Sequence, residues 1–329
     1  GHHYIARRLN NKLISLSATS PKKAHKAIVK LGFKDAIILN YNPLNTEYLK
    51  LFKNNKKYFD TVDNWINNSI FKKYEKTLRK NYKEIVLNSN YIFTVSEKLK
   101  DDLEKLAFCK QITETAMACL NIKNNIKFIS NGVDLDHYKN PISSDRLGKY
   151  INKIRQSYKK IIGYVGVIKS DRVDIELLEF IIKNNENFFF LIAGPVHGNF
   201  DLKRFASYKN VLFIGEIKYE EMPYIYKQFD VCIIPHLVND FINSMDPKKL
   251  YEYLASGKPV VTTNVSGVEK FKNYIKIAKD KEEFSIEINN IVNDVNILDK
   301  QKIEERMSSV KDYGWNKKVD EIVNIIKNS

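Results

Sequence analysis

Short apolar runs alternate with segments of helical periodicity along most of this chain. Leu13–Ser17, Ala36–Tyr41, Tyr58–Asp63, Tyr91–Val95 and Ile126–Ile129 read as buried strands. Helical patterns fill the gaps, as from Ile70 to Val86 and from Lys98 to Ala107. Strands that alternate with helices imply a parallel sheet with both faces covered. The plan repeats from Ile161 to about Ile277, so the expected fold class is α/β with two Rossmann-like, doubly wound domains. A last amphipathic pattern, Trp315 to Ile326, sets Val319, Ile322, Val323 and Ile326 on one face. Tyr138 to Lys160 carries Asn140-Pro141, Ser143-Ser144 and many charges, and reads as an interdomain linker. The expected divisions are 1–141, 142–310 and a final helix over 311–329. The sequence enters a helical pattern directly after Gly1-His2-His3. A strand would normally precede such a helix, so the first strand reads as missing.

Candidate chemistry concentrates in Asp246–Val261. Pro247 fits the first turn of a helix, where its missing N–H costs nothing. Leu250, Tyr253 and Leu254 recur at helical spacing, Gly257 suits a left-handed stop, and Pro259–Thr263 reads as the next strand. A helix N-terminus with Lys248 and Lys249 favours an anion. Glu252, one turn on, suits two sugar hydroxyls; lysines beside a phosphate and a carboxylate beside a ribose suggest a nucleotide-sugar pocket. Upstream, Gly166 ends a strand and Lys169, Ser170 and Arg172 follow in its loop. Glycine lets backbone approach a phosphate, and arginine forks onto two of its oxygens. Arg172 or Lys169 is therefore expected on a pyrophosphate, and backbone at Ile217 near a nucleobase. In open α/β sheets ligands bind beyond the carboxyl ends of strands. That rule selects Asn40, Tyr41 and Asn42 after one early strand, and Asp63 and Asn64 after the next. Asp63 reads either as an active-site acid or as a helix cap before Trp65, while Asp60 lies mid-strand and reads as structural.

Several of these strings together resemble the retaining family-four (group 1) glycosyltransferases of GT-B fold. Asp246–Val261 resembles their donor motif. Ile162–Ile168 with Asp174–Leu178 resembles the opening strand, loop and helix of the donor domain. Phe190–Pro195, Asn210–Gly215 and Phe229–Pro235 resemble its next strands, and Phe93–Leu99 and Ser130–Asp134 the last segments of the acceptor domain. The resemblance implies a site in the cleft between domains and a final helix that crosses back to the first domain. It implies transfer of a sugar, with retention, from a nucleoside diphosphate sugar to a hydroxyl acceptor in cell-surface polysaccharide or glycoconjugate synthesis. Arg172, Lys249 and the helix N-terminus would stabilise the departing diphosphate, with Asp63 assisting the acceptor or the sugar cation. His3 would fall near the donor diphosphate, or else is a solvent-exposed or tag-derived residue. Asn243 falls in a loop, Asn239–Ser244, that resembles an asparagine-bearing subgroup. One departure stands out: many members carry two glutamates in the motif, and Ser244 replaces the first. A rival within the fold is a nucleotide-sugar epimerase; a rival of another class is a non-catalytic glycan- or lipid-binding relative.

Composition narrows the partners. At 329 residues, with 43% hydrophobic and 28% charged positions, two ordinary globular domains are expected. No run approaches the roughly 18 apolar residues of a membrane span. Three cysteines (Cys109, Cys119, Cys232) lack metal-ligand spacing, Asp134 and Asp136 have no partner spacing, and no Asp-x-Asp ends a strand. Neither a metal nor a cofactor is expected beyond the sugar nucleotide as co-substrate, and a reduced cytoplasmic setting is. The net charge of +15 is uneven: residues 1–145 hold 25 Lys+Arg against 14 Asp+Glu, the remainder 29 against 25. Lys72, Lys73, Lys76, Arg79, Lys80 and Lys83 cluster on one helical stretch. Such a surface suits an acidic or lipid-linked glycan acceptor, or the anionic inner face of a membrane, unless it reflects a lysine-rich coding bias. Nucleic acid is the weakest candidate, since no RNA-binding signature is present.

Overall fold

The structure, a computed structural model, describes residues 9, 13–15, 20–32, 35–108, 124–139 and 141–329. The chain forms two compact units, the first from 1–131, 243–246 and 315–329, the second from 132–242 and 247–314.

In the first unit, β1 (Leu13–Ser15), β2 (Ile37–Asn40), β3 (Lys57–Thr61), β4 (Tyr91–Thr94) and β5 (Ile126–Phe128) form a parallel sheet in sequential order. Alternation along the strands decides what covers each face. Ile38, Phe59, Ile92 and Ile126 point to a core built with the helices Pro21–Leu31, Glu75–Asn88 and Glu97–Phe108. Leu39, Tyr58 and Phe93 point the other way, onto Val319, Val323 and Ile326 of the Trp315–Lys327 helix. Each buried side chain of that helix contributes about 1.5–3 kcal/mol. Its far end is tied down as well, because the Tyr58 hydroxyl donates to the Ile326 carbonyl at 3.4 Å. The helix expected from Ile70 starts as a 3₁₀ turn, Ser69–Tyr74, capped by Asn68, whose side chain accepts from Ile70 N at 3.0 Å; the α-helix follows from Glu75.

The second unit holds β6 (Ile161–Val165), β8 (Phe189–Ala193), β10 (Val211–Phe213), β11 (Val231–Ile234), β12 (Val260–Thr263) and β13 (Lys276–Ala278). They form a parallel six-stranded sheet in the order β10-β8-β6-β11-β12-β13, with a small separate pair, β7 (Ile168–Lys169) and β9 (Val196–His197). Strand order reverses between β6 and β11, and that reversal opens a crevice at their carboxyl ends. Gly163, mid-β6, lets Phe229 lie directly on the sheet; a Cβ there would come within 2.0 Å of its ring.

The segment from Tyr138 to Lys160 is not a linker. Tyr138 lies in the short helix Leu135–Lys139 and stacks on Tyr226, ring centroids 5.6 Å apart. The Asp145–Arg155 helix then buries Leu147, Ile151 and Ile154, and Ser144 caps it by accepting from Leu147 N at 3.3 Å. That spacing of four and three was visible in the sequence beneath the charges. The boundary accordingly falls after Asn131 rather than after residue 141, and the last 15 residues join the first unit. Val133 N donates to the Tyr313 carbonyl at 2.9 Å, so the chain enters and leaves the second unit side by side.

Candidate active site

The carboxyl ends of β6 and β8 lie unusually close. Gly166 N donates to the Ala193 carbonyl at 2.9 Å, and a Cβ on Gly194 (φ +136°) would lie 2.0 Å from the Gly166 carbonyl oxygen. Gly166 itself adopts φ +146°, and a Cβ on it would meet Lys249 Nζ at 2.8 Å. Only glycine fits there, and the bare backbone borders the lysine amine.

Lys249 belongs to the Lys248–Ala255 helix, whose N-cap is Pro247 and whose closing residue Gly257 has φ +69°. Its amine donates to the Tyr164 hydroxyl at 2.8 Å and to His236 Nε2 at 3.0 Å, and it lies 4.2 Å from the centre of the Tyr164 ring. When the lysine is charged it can only donate, and the imidazole then accepts through Nε2. His236 is buried just past β11, its backbone bridged to Val173 and its carbonyl accepting from Thr263 Oγ1 at 2.8 Å. Arg172, in the β6 loop, has a buried Nε without a hydrogen-bond partner.

These basic groups repel one another. Burial, then Arg172, lowers Lys249 to about 7, against an opposing pull from Glu252. Burial, then Lys249 and Arg172, pushes His236 well below its ordinary value. Such a set stores electrostatic cost that a bound anion would relieve. Glu252, also buried, accepts from the Tyr226 hydroxyl through Oε2 at 3.0 Å and pairs with Lys248 at 3.5 Å. Tyr138 faces that carboxylate; burial and the Glu252 charge raise its phenol far above the usual range.

Residues 159–294 match the family Glycosyl transferases group 1. That match falls almost entirely within the second unit. Over 154 residues the chain is 27% identical to the putative teichuronic acid biosynthesis glycosyltransferase TuaH of Bacillus subtilis (strain 168). That match covers 46% of this chain and 37% of that protein, so the chain spans well under half of this curated relative. Among solved structures, a glycosyltransferase from Rickettsia africae ESF-5 is similar over 94% of this chain and 81% of its own, at 20% identity and TM-score 0.68. Anabaena Alr3699/HepE in complex with UDP is similar over 94% and 82%, at 11% identity and TM-score 0.70. The fold is thus GT-B.

Within the second unit, the structure gathers Gly166, Arg172 and Lys249 of the expected set at the crevice. Lys169 is otherwise engaged: its amine pairs with Asp171, and its strand partner is His197. Lys248 does not join Lys249, because adjacent helical positions diverge by about 100°; it turns to Glu252 and lies 6.0 Å from the Tyr219 ring centre. The Ile217 side chain is buried, which leaves its backbone as the polar part.

The remaining expectations fall in the first unit. Asn40 is 1% exposed and closes its own turn, donating to the carbonyls of Asn42 and Asn45 at 3.1 and 3.3 Å. Asn64 is buried, accepts from Asn67 N at 3.3 Å and donates to Asp102 at 3.5 Å. Both asparagines shape loops rather than present donors. Asn42 accepts from Leu44 N at 3.0 Å and is half-buried. β3 ends at Thr61, leaving Asp63 in the following turn, half-buried, with its carbonyl accepting from Tyr82 at 3.5 Å. Asn243 is half-buried, and Ser244 after it is fully buried, its carbonyl accepting from Ser96 Oγ at 2.8 Å. Asp246 completes that tie, accepting from Asn131 N at 2.7 Å. His3 lies outside the described residues.

His236 and Tyr164 were missed from sequence. The strand-end rule applied to β11 would have found His236, two residues past Ile234. Tyr164, inside an apolar strand, gives no such signal.

Proposed function

We propose that this protein transfers a sugar from a nucleoside diphosphate sugar to a hydroxyl acceptor, with retention, in the synthesis of a cell-surface polysaccharide or glycoconjugate. The observation that carries the reading is the juxtaposition of the Gly166 backbone, Lys249 and Arg172 at the strand-order reversal. The bond between the anomeric carbon and the diphosphate breaks, and the electron pair leaves on a phosphate oxygen. Lys249 and Arg172 receive that charge, an electrostatic task suited to buried cations. The acceptor oxygen then bonds the anomeric carbon and gives up its proton. Glu252 is assigned to the ribose hydroxyls, and the Ile217 backbone to the base. The cations supply the charge that a metal would otherwise bring, so the reading calls for none, and for no cofactor beyond the donor. HepE was solved with UDP and with UDP-glucose, which makes uridine nucleotides the first donors to try.

The acceptor falls to the first unit, with Asp63 as its acid, and is proposed to be a lipid-linked or acidic glycan. Exposed Ile70 and Tyr74 flank Lys72, Lys73, Lys76 and Lys80, a mixed apolar and basic surface suited to the anionic cytoplasmic face of a membrane. Among the described residues no helix is long and apolar enough to cross one. Calorimetry with nucleoside diphosphates, followed by product analysis with nucleotide sugars, tests the reading. Absence of nucleotide binding, or an epimerised sugar formed without acceptor, would overturn it.

A further inference from the structure

The amino ends of β12 and β13, opposite the end that holds Gly166 and His236, border a cavity of about 320 Å³. That is within the ~300–1,000 Å³ of small-molecule sites. Pro259, Tyr274 and Ile291 give it apolar walls, and four cations on its lining, Lys272, Lys276, Lys302 and Arg306, outnumber two carboxylates, Asp294 and Glu305. Arg306 is only 5% exposed. Its Nε donates to the Gly257 carbonyl at 2.8 Å and one Nη to the Ile297 carbonyl at 2.5 Å. A guanidinium has five N–H donors, so most remain without a protein acceptor. No carboxylate pairs with it among the described residues: Asp294 is held by Lys302 at 2.8 Å, and Glu305 accepts from Gln301 at 3.0 Å. A buried cation without an ion-pair partner is costly, and its free fork matches two oxygens of one anionic group.

We propose that this cavity binds a small molecule through a phosphate or carboxylate group seated on Arg306, and that its occupancy tunes the helix carrying Lys249 and Glu252. The link is Gly257. It closes that helix, its N–H donating to the Leu254 carbonyl at 2.9 Å, while its own carbonyl is held by Arg306. An oxyanion that draws on the guanidinium changes how firmly the helix end is fixed. The binding half stands by itself; the coupling half rests on the donor reading above.

Amide shift mapping with inorganic phosphate, and separately with acetate, tests the binding in wild type, Lys249→Met and Arg306→Lys. The lysine keeps a charge and a donor for Gly257 but lacks the fork. Shifts are expected at Gly257 and from Ile297 to Arg306 in the first two proteins, and at least tenfold weaker binding in the third. The anion that saturates at lower concentration names the group. Shifts confined to Gly166–Arg172 and His236–Lys249, or none, would overturn the proposal; if Arg306→Lys does not fold, the other two maps decide. The coupling is read as a several-fold change in UDP affinity when phosphate is present, in wild type but not in Arg306→Lys. An unchanged affinity with an intact map refutes the coupling alone. Failure of UDP to bind at all counts against the donor reading and leaves the map as the test of the cavity.

Discussion

Replacing Lys249 by methionine removes the amine and keeps the aliphatic stem. In the free protein that amine titrates at about 7, lowered first by burial and then by Arg172. A diphosphate placed beside it favours the charged form, so its pKa in the complex is higher. Below pH 7 the lysine is already protonated and imposes no slope on binding. Above pH 7 the complex must take up a proton, and affinity falls toward tenfold per pH unit until the pKa of the complex is reached. Ionisation of the terminal phosphate, near pH 6, lies beneath that window. A hydrogen bond to a charged group contributes about 1.5–3 kcal/mol. At 1.4 kcal/mol per decade, the methionine variant should bind UDP roughly 10- to 150-fold more weakly at pH 6.5. Calorimetry from pH 6.5 to 9, in two buffers of different ionisation enthalpy, reads both affinity and proton uptake. Equal affinities at pH 6.5, or the same slope with and without the lysine, would refute the reasoning. Folding carries the opposite sign. The unfolded lysine titrates near 10.5 and the folded one near 7, so stability rises with pH between these values and the full cost is present below 7. Lys249→Met should therefore melt above wild type at pH 7, although it binds donor less well.

Other expectations follow from the same geometry. Glu252→Gln keeps an oxygen for Tyr226, so Tm should change little while UDP binding weakens by about 1.5–3 kcal/mol; an unchanged Kd removes the ribose role. Gly194→Ala must displace the Gly166 carbonyl and adopt a left-handed backbone, at a cost of at least 1–3 kcal/mol; a Tm equal to wild type in thermal melts would show that the strand ends are not so close. Val323→Asp places a charge against Leu39, Tyr58 and Phe93 and should leave the first unit unstable, read as loss of protease resistance in 1–131 with the second unit intact. Lys72, Lys73, Lys76 and Lys80 changed together to Gln should lower binding to anionic vesicles by on the order of 1 kcal/mol per charge, with wild-type binding fading as salt rises; equal sedimentation with neutral vesicles would return the charge to coding bias.

Periodicity exposed most of the fold. β2, β4, β5 and the last helix fall within a residue or two of the apolar runs that announced them, since one buried face leaves a repeat that composition cannot hide. Charge density misled at Tyr138–Lys160, where Leu147, Ile151 and Ile154 form a buried stripe beneath lysines. At the site, glycines and basic residues were legible because few residue types suit a phosphate. Which cation stays free was not. Lys169 and Lys248 have the same chemistry as Lys249, and only the fold reveals that Asp171 and Glu252 hold them. Asn40 was chosen by its place at a strand end, but a short amide there satisfies its own turn first.

The final helix gives the first unit an unusual order of assembly. Tyr58 and Ile326, which touch in the finished sheet, stand 268 residues apart in the chain. During synthesis one face of that sheet stays bare until the Trp315–Lys327 segment emerges, and that segment follows every part of the second unit in the chain. Contacts of such separation are slow to form, and domains generally fold in the order they appear. The second unit can thus mature first, with the first unit closed last by the Trp315–Lys327 helix. A chain released just before Trp315 would carry the second unit joined to an open, apolar sheet, a natural client for a chaperone.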